Sequence, residues 1–152
     1  YVSVFSFSNF LQLTDCEIEH HAFRKFVNLY RDTKDIQAKA ALAFSVDKPF
    51  HSSDPKGQQK FIEEVFAGSG WEMPRILAEM KDSPDFYFDS MAQIHMPQWS
   101  KGRVSLVGDA AYSATPLSGQ GTSIAIAGAY VLAGELAYAQ GDCQRAFFVM
   151  KN

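Results

Sequence analysis

The 152-residue chain is 47% apolar and 20% charged, an ordinary balance for a globular protein with one sizeable core. Its net charge of −3, with Lys and Arg scattered, provides no basic patch and argues against nucleic acid or an anionic membrane surface as partner. The cysteines Cys16 and Cys143 form no disulfide framework, and the longest apolar stretch, Ile124 to Gly134, is too short to cross a bilayer, so a soluble, cytoplasmic protein is expected.

In chain order, Tyr1–Asn9 reads as a strand, followed by strands over Phe26–Arg31 and Lys39–Val46. The last of these alternates Leu42, Phe44 and Val46 against Ala41, Ala43 and Ser45, the period of a half-buried strand. The polar connector Asp32-Thr33-Lys34-Asp35 suits a hairpin and therefore antiparallel pairing. Ser52-Ser53-Asp54-Pro55 announces a helix with Asp54 as N-cap and Pro55 at the first helical position. Phe61, Ile62, Val65 and Phe66 follow at helical spacing as a core stripe, and Gly68-Ser69-Gly70 ends the helix. A second helix starts near Pro74, buries Ile76, Leu77 and Met80, and ends before Ser83-Pro84.

Asp85–Met96 alternates like a long strand, and Trp99-Ser100-Lys101-Gly102 reads as a turn. Arg103–Val107 reads as a short buried strand, and Thr122–Ala139 as a helix apolar nearly all round and hence buried. The pattern predicts an α+β fold: an antiparallel or mixed sheet with helices, then a strand, a loop and a long buried helix. A soft boundary divides residues 1–98 from 99–152.

The run from Gly102 to Thr122, GRVSLVGDAAYSATPLSGQGT, carries the chemistry. A strand ending at Gly108-Asp109 places one carboxylate where a sheet opens into a crevice, able to accept hydrogen bonds from ligand hydroxyls. Gly119-Gln120-Gly121 then opens a helix, where glycines let a ligand approach free N–H groups and the dipole favours negative charge. Taken alone, Gly-Gln-Gly reads as a tight turn and Asp109 as a cap; together they read as a ligand-ready helix start.

This run resembles the second FAD fingerprint of the group A flavoprotein monooxygenases, the para-hydroxybenzoate hydroxylase type. That family carries G-R-V-x-L-x-G-D-A-A-H followed by P-x-x-G-Q-G and a long helix. The match is specific over Gly102–Leu136, and looser before it, where the chain is similar to the family's substrate-binding sheet and helices. The resemblance implies that residues 1–98 belong to a substrate domain and 99–152 to the C-terminal part of an FAD domain. It further implies that Asp109 binds a ribityl hydroxyl and Gly108 lets that chain pass. Pro116 would lie beside the isoalloxazine, and Gly119, Gln120, Gly121 and Thr122 would offer N–H groups to its N1–C2 edge. The activity implied is hydroxylation of an aromatic or polyketide-like small molecule, with NAD(P)H reducing the flavin and O2 activated on it. A side-chain nucleophile or triad is not expected, because the cofactor does the hard steps. Phe88, Met91 and Gln93, on the strand leading into the loop, are candidates for substrate contact, with plain packing as the alternative.

Two departures from the family pattern stand out. Tyr112 stands where His is usual, and Ala127-Gly128 where an acidic pair is usual. No Gly-x-Gly-x-x-Gly follows a strand, so the cofactor's pyrophosphate site is missing. With Tyr1 in place of Met, this suggests a fragment that binds FAD weakly or not at all by itself. Sheet edges opened by truncation would suit self-association. Flavin halogenases and reductases share the Gly-Asp loop, and a non-catalytic α/β binding module could keep its shape. The adjacent His20-His21 read as surface residues, and no metal site is expected.

Overall fold

A computed structural model describes residues 1–31, 34–115 and 118–149. Contacts divide the chain into two units, Tyr1–Ser90 and Met91–Asn152, ahead of the 98/99 boundary expected from composition.

The first unit is built on five strands: β1 (Val2–Phe7), β2 (Ile18–Ala22), β3 (Lys25–Tyr30), β4 (Ala38–Phe44) and β5 (Tyr87–Asp89). They form one antiparallel sheet in the order β2-β3-β4-β1-β5. Every second residue of the central strands turns inward, as strand geometry requires. Phe5 and Phe7 of β1, Val27 and Leu29 of β3, and Ala38, Ala40, Leu42 and Phe44 of β4 are buried.

Two helices contribute to the same core, α1 (Pro55–Phe66) and α2 (Met73–Met80). Asp54 caps α1 by accepting a hydrogen bond from the Gly57 N–H at 2.9 Å, with Pro55 in the first turn. Ile62 and Phe66 from α1, and Met73, Ile76, Leu77 and Met80 from α2, complete the core. Tyr1, Phe44, Phe50, Phe61 and Phe88 stack or meet edge-on or at a tilt beside it.

The sheet also shows how an uncovered edge is satisfied. β5 pairs with β1 only over Val2–Val4. Beyond it the backbone N–H and hydroxyl of Ser6 are both held by the Asp85 carboxylate, and those of Ser8 by Glu79. Two acidic side chains thus replace a neighbouring strand.

The expected strand over Asp85–Met96 is shortened to Tyr87–Asp89, with Ser90–Met96 irregular. The register explains this: Asp89 faces Val2, so β1 offers little for later residues to pair with. β2 was not foreseen. Its Ile-Glu-His-His-Ala sequence is largely polar, and it is ordered by pairing with β3 at the sheet's edge.

The second unit begins with a hairpin of β6 (Ser100–Lys101) and β7 (Val104–Ser105). Gly102 sits at φ 60° in the intervening turn, which an L side chain rarely adopts. Arg103–Val107 is therefore not a buried strand: it forms only β7, and Val104 is 66% exposed. The short α3 (Asp109–Tyr112), the long α4 (Gly121–Tyr138) and α5 (Cys143–Val149) follow. α5 had no counterpart in the sequence reading; Asp142 caps it by accepting from the Gln144 and Arg145 amides. Its Ala146 and Phe147 pack with Ala139, Leu132 and Leu136 in a small core.

α4 is not the buried helix expected. None of its residues is buried, and Ile126, Tyr130 and Tyr138 are 65%, 81% and 76% exposed. A helix apolar all round needs cover on every side, whereas this unit covers one stripe. Gly121, Ile124, Ala125, Gly128, Leu132 and Leu136, at helical spacing, are half-buried, as is Glu135 beside them. Among the described residues no helix is long and apolar enough to cross a membrane.

Candidate functional site

The loop from Gly108 to Thr122 lies wholly in the second unit. Gly108 is buried at φ 68°, and a Cβ there would lie 3.3 Å from the Ala125 Cβ, so glycine allows both the turn and a close approach to α4. Its carbonyl accepts from the Ala111 and Tyr112 amides, each at 3.0 Å, winding the single turn of α3. Ala111 is fully buried and anchors that turn.

Asp109 is exposed, and its carboxylate takes part in no hydrogen bond or ion pair among the described residues. It nevertheless faces the start of α4: a Cβ on Gly121 would lie 3.9 Å from Asp109 Oδ1. The first backbone bond of α4 runs from Ile124 N–H to Gln120 C=O at 2.9 Å. The amides of Gly121, Thr122 and Ser123 precede it and have no backbone acceptor among the described residues. Gly119, at φ 63° with nothing within 4 Å of a Cβ, leaves open space there. The site therefore pairs one uncommitted carboxylate with unused N–H donors at the positive end of an 18-residue helix.

Of the other candidates, Gln120 donates its N–H to Ser118 Oγ at 3.2 Å. Pro116 lies outside the described residues. Phe88 is half-buried in the aromatic cluster of the first unit, while Met91 and Gln93 lie in the irregular segment after β5.

Two contributors escaped the sequence reading. Ser118 organises the loop, its hydroxyl donating to the Ala114 and Thr115 carbonyls while accepting from Gln120; a Ser two residues before Gln120 is the signal of such a turn. Tyr112 packs on Trp99, ring centroids 4.8 Å apart, and with Ile124, Ala127, Gly128 and Val131 they line an apolar cleft of about 520 Å³ beside α4. In β2, His20 stacks on Trp71 and His21 meets Phe26 of β3 at a tilt. Among the described residues no cluster of His, Cys, Asp and Glu could hold a metal ion.

Residues 75–145, which include the whole loop, match the family model of an FAD binding domain. The chain is also 47% identical, over 137 residues, to a flavin-dependent monooxygenase from an unknown prokaryotic organism, covering 90% of this chain and 36% of that protein. This chain is a relative of the flavin-dependent monooxygenases.

A flavin-dependent monooxygenase of Legionella longbeachae is 42% identical over 148 residues, 97% of this chain and 38% of its own length. The chain thus spans well under half of these monooxygenases. Among solved structures, tetracycline destructase Tet(55) superposes with a TM-score of 0.90 at 44% identity, over 99% of this chain and 40% of that one. HpxO from Klebsiella pneumoniae, solved with FAD, superposes at 0.72 with 20% identity over 99% of this chain and 39% of its own, a likeness of fold.

Proposed function

We propose that this chain is the flavin-facing part of an FAD-dependent monooxygenase acting on an aromatic or polyketide-like small molecule. NAD(P)H serves as reductant and O2 as the oxygen source. The observation that carries the reading is the free Asp109 carboxylate set against unused amides at the start of α4. That donor and acceptor set fits a flavin: hydroxyls on one part, a carbonyl edge that gains negative charge on the other.

Asp109 would accept hydrogen bonds from ribityl hydroxyls. Gly108 would let that chain pass, and Gly119, Gly121 and Thr122 would donate to the ring's carbonyl edge. When bound, FAD would carry the two electrons of NAD(P)H to O2 and so activate it. The helix dipole favours negative charge at those amides by about 0.3–1 kcal/mol at an exposed site, which adjusts a redox potential without creating reactivity. Substrate would be bound by other residues, with Phe88, Met91 and Gln93 as candidates. A multi-ring substrate is supported by the name of the destructase relative, which acts on tetracycline.

The test is to purify the protein from its complete reading frame and look for stoichiometric flavin absorbing near 450 nm. Oxidation of NADH or NADPH should then depend on a multi-ring phenolic substrate, with one atom of labelled O2 appearing in the product. Absence of bound flavin, or of label in the product, would overturn the proposal.

A further inference from the structure

Two of the residues at which the sequence leaves the resembled family pattern, Tyr112 and Gly128 of the Ala127-Gly128 pair, meet in space. The Tyr112 ring lies across α4, and a Cβ on Gly128 would sit 1.7 Å from its hydroxyl oxygen and 2.8 Å from its Cζ. The phenol therefore occupies the volume of a side chain at 128. Its hydroxyl is buried there and has no hydrogen-bond partner. A buried hydroxyl without a partner is destabilising, so the ring is held in place by its packing and by its fit against bare backbone.

Two further contacts lie on the same stripe of the helix. Gly108 meets Ala125, and Asp109 faces Gly121. Positions 121, 125 and 128 follow one another at about one turn each, so the segment Gly108–Tyr112 docks along a single face of α4. Trp99 packs on the same ring at a tilt of 54°.

We propose that Tyr112 and Gly128 form a matched lock that seats the Gly108–Tyr112 segment on α4, making Tyr112 the positioning residue for the Asp109 carboxylate. The two departures from the family pattern are then one exchange: a long phenol needs glycine opposite it, whereas a shorter imidazole leaves room for an acidic partner. Only the identity of what Asp109 holds rests on the flavin reading; the lock is a property of the chain.

The test uses the sign of a glycine-to-alanine change. In a helix interior Ala is favoured over Gly by about 1 kcal/mol, so the change ordinarily raises the melting temperature. Gly134→Ala, in the same helix with nothing within 4 Å of its Cβ, should do so in this chain. Gly128→Ala should instead lower it by about 2–10 °C, because overpacking forces the ring out. In a Tyr112→Ala background, Gly128→Ala should raise it, and Tyr112→His with Gly128→Asp together should recover most of what either loses alone. Tyr112→Phe, which keeps the ring and removes the unpaired hydroxyl, should hold or raise the midpoint.

In the protein from the complete reading frame, Gly128→Ala should weaken FAD binding about tenfold, equivalent to about 1.4 kcal/mol. That loss should vanish in an Asp109→Ala background, which separates positioning of the carboxylate from general destabilisation. A rise in melting temperature for Gly128→Ala beside an intact Tyr112 would sink the lock. A loss of FAD affinity that persists without Asp109 would sink the positioning role. Absence of any FAD binding would overturn the flavin reading together with that role, while the melting series would still decide the lock.

Discussion

Asp85 is the most informative residue to perturb in the first unit. Its carboxylate accepts from the Ser6 N–H at 2.8 Å, the Ser6 hydroxyl at 2.7 Å, the Ser83 hydroxyl at 2.8 Å and Lys39 Nζ at 3.1 Å. It thereby links β1, β4 and the segment before β5. Hydrogen bonds to a charged group contribute about 1.5–3 kcal/mol each when shielded. Here the side chain is 42% exposed, so water replaces much of that and the Lys39 pair contributes only about 0–1 kcal/mol. The term that survives is the Ser6 amide, because β5 pairs with β1 only over Val2–Val4 and offers no carbonyl in place of Asp85. We expect Asp85→Ala to cost about 1–3 kcal/mol, lowering the melting temperature by about 2–10 °C. Asp85→Asn retains an acceptor for that amide and should cost less.

The pH dependence is a second signature of the same contacts. Burial tends to raise the Asp85 pKa, but hydrogen bonds from the Ser6 hydroxyl and amide, then Ser83 and Lys39, outweigh it and hold the carboxyl well below the usual carboxylate range. A carboxyl with a depressed folded pKa stabilises the fold above its unfolded value of about 3.9, and that contribution is lost as pH falls toward the folded value. The stability gap between the native chain and Asp85→Asn should therefore be constant from pH 7 to about 4 and narrow below it. Chemical denaturation across this range measures it. A gap that stays flat to pH 2, or an Asp85→Ala variant within about 0.3 kcal/mol of the parent, would refute the reasoning.

Other changes probe different parts of the molecule. Asp54→Ala removes the acceptor for the Gly57 amide and should cost about 1 kcal/mol by denaturation, with Asp54→Ser largely sparing it. Phe66→Ala opens a cavity where α1 meets the sheet and should cost about 3–5 kcal/mol, whereas Ile126→Ala on the exposed face of α4 should cost under about 0.5 kcal/mol in this chain. Titrated with FAD, this 152-residue chain should show weak or undetectable binding, since one carboxylate and a few amides cannot offset the cost of immobilising so large a ligand. Asp109→Ala in the protein from the complete reading frame should weaken FAD about tenfold or more, read by flavin fluorescence.

What the sequence determined by itself was whatever is set by residues near one another along the chain. Asp54-Pro55 places the start of α1 because cap and amide are three residues apart, and the alternation in β4 marks its buried face because strand side chains alternate whatever the partner. The turn glycines Gly108 and Gly119 and the start of α4 were legible for the same reason, being local.

Only the tertiary structure decided the rest. The alternation after Asp85 predicts a strand, but a strand needs a partner, and the register with β1 stops it at Asp89. α4, apolar on every side, carries no amphipathic signal, so its sequence is silent on which face packs. That face is chosen by Gly108, Asp109 and Tyr112, residues on another element. Tyr112 and Gly128 thus look like two unrelated departures in the sequence and become one contact only when the loop folds back onto the helix.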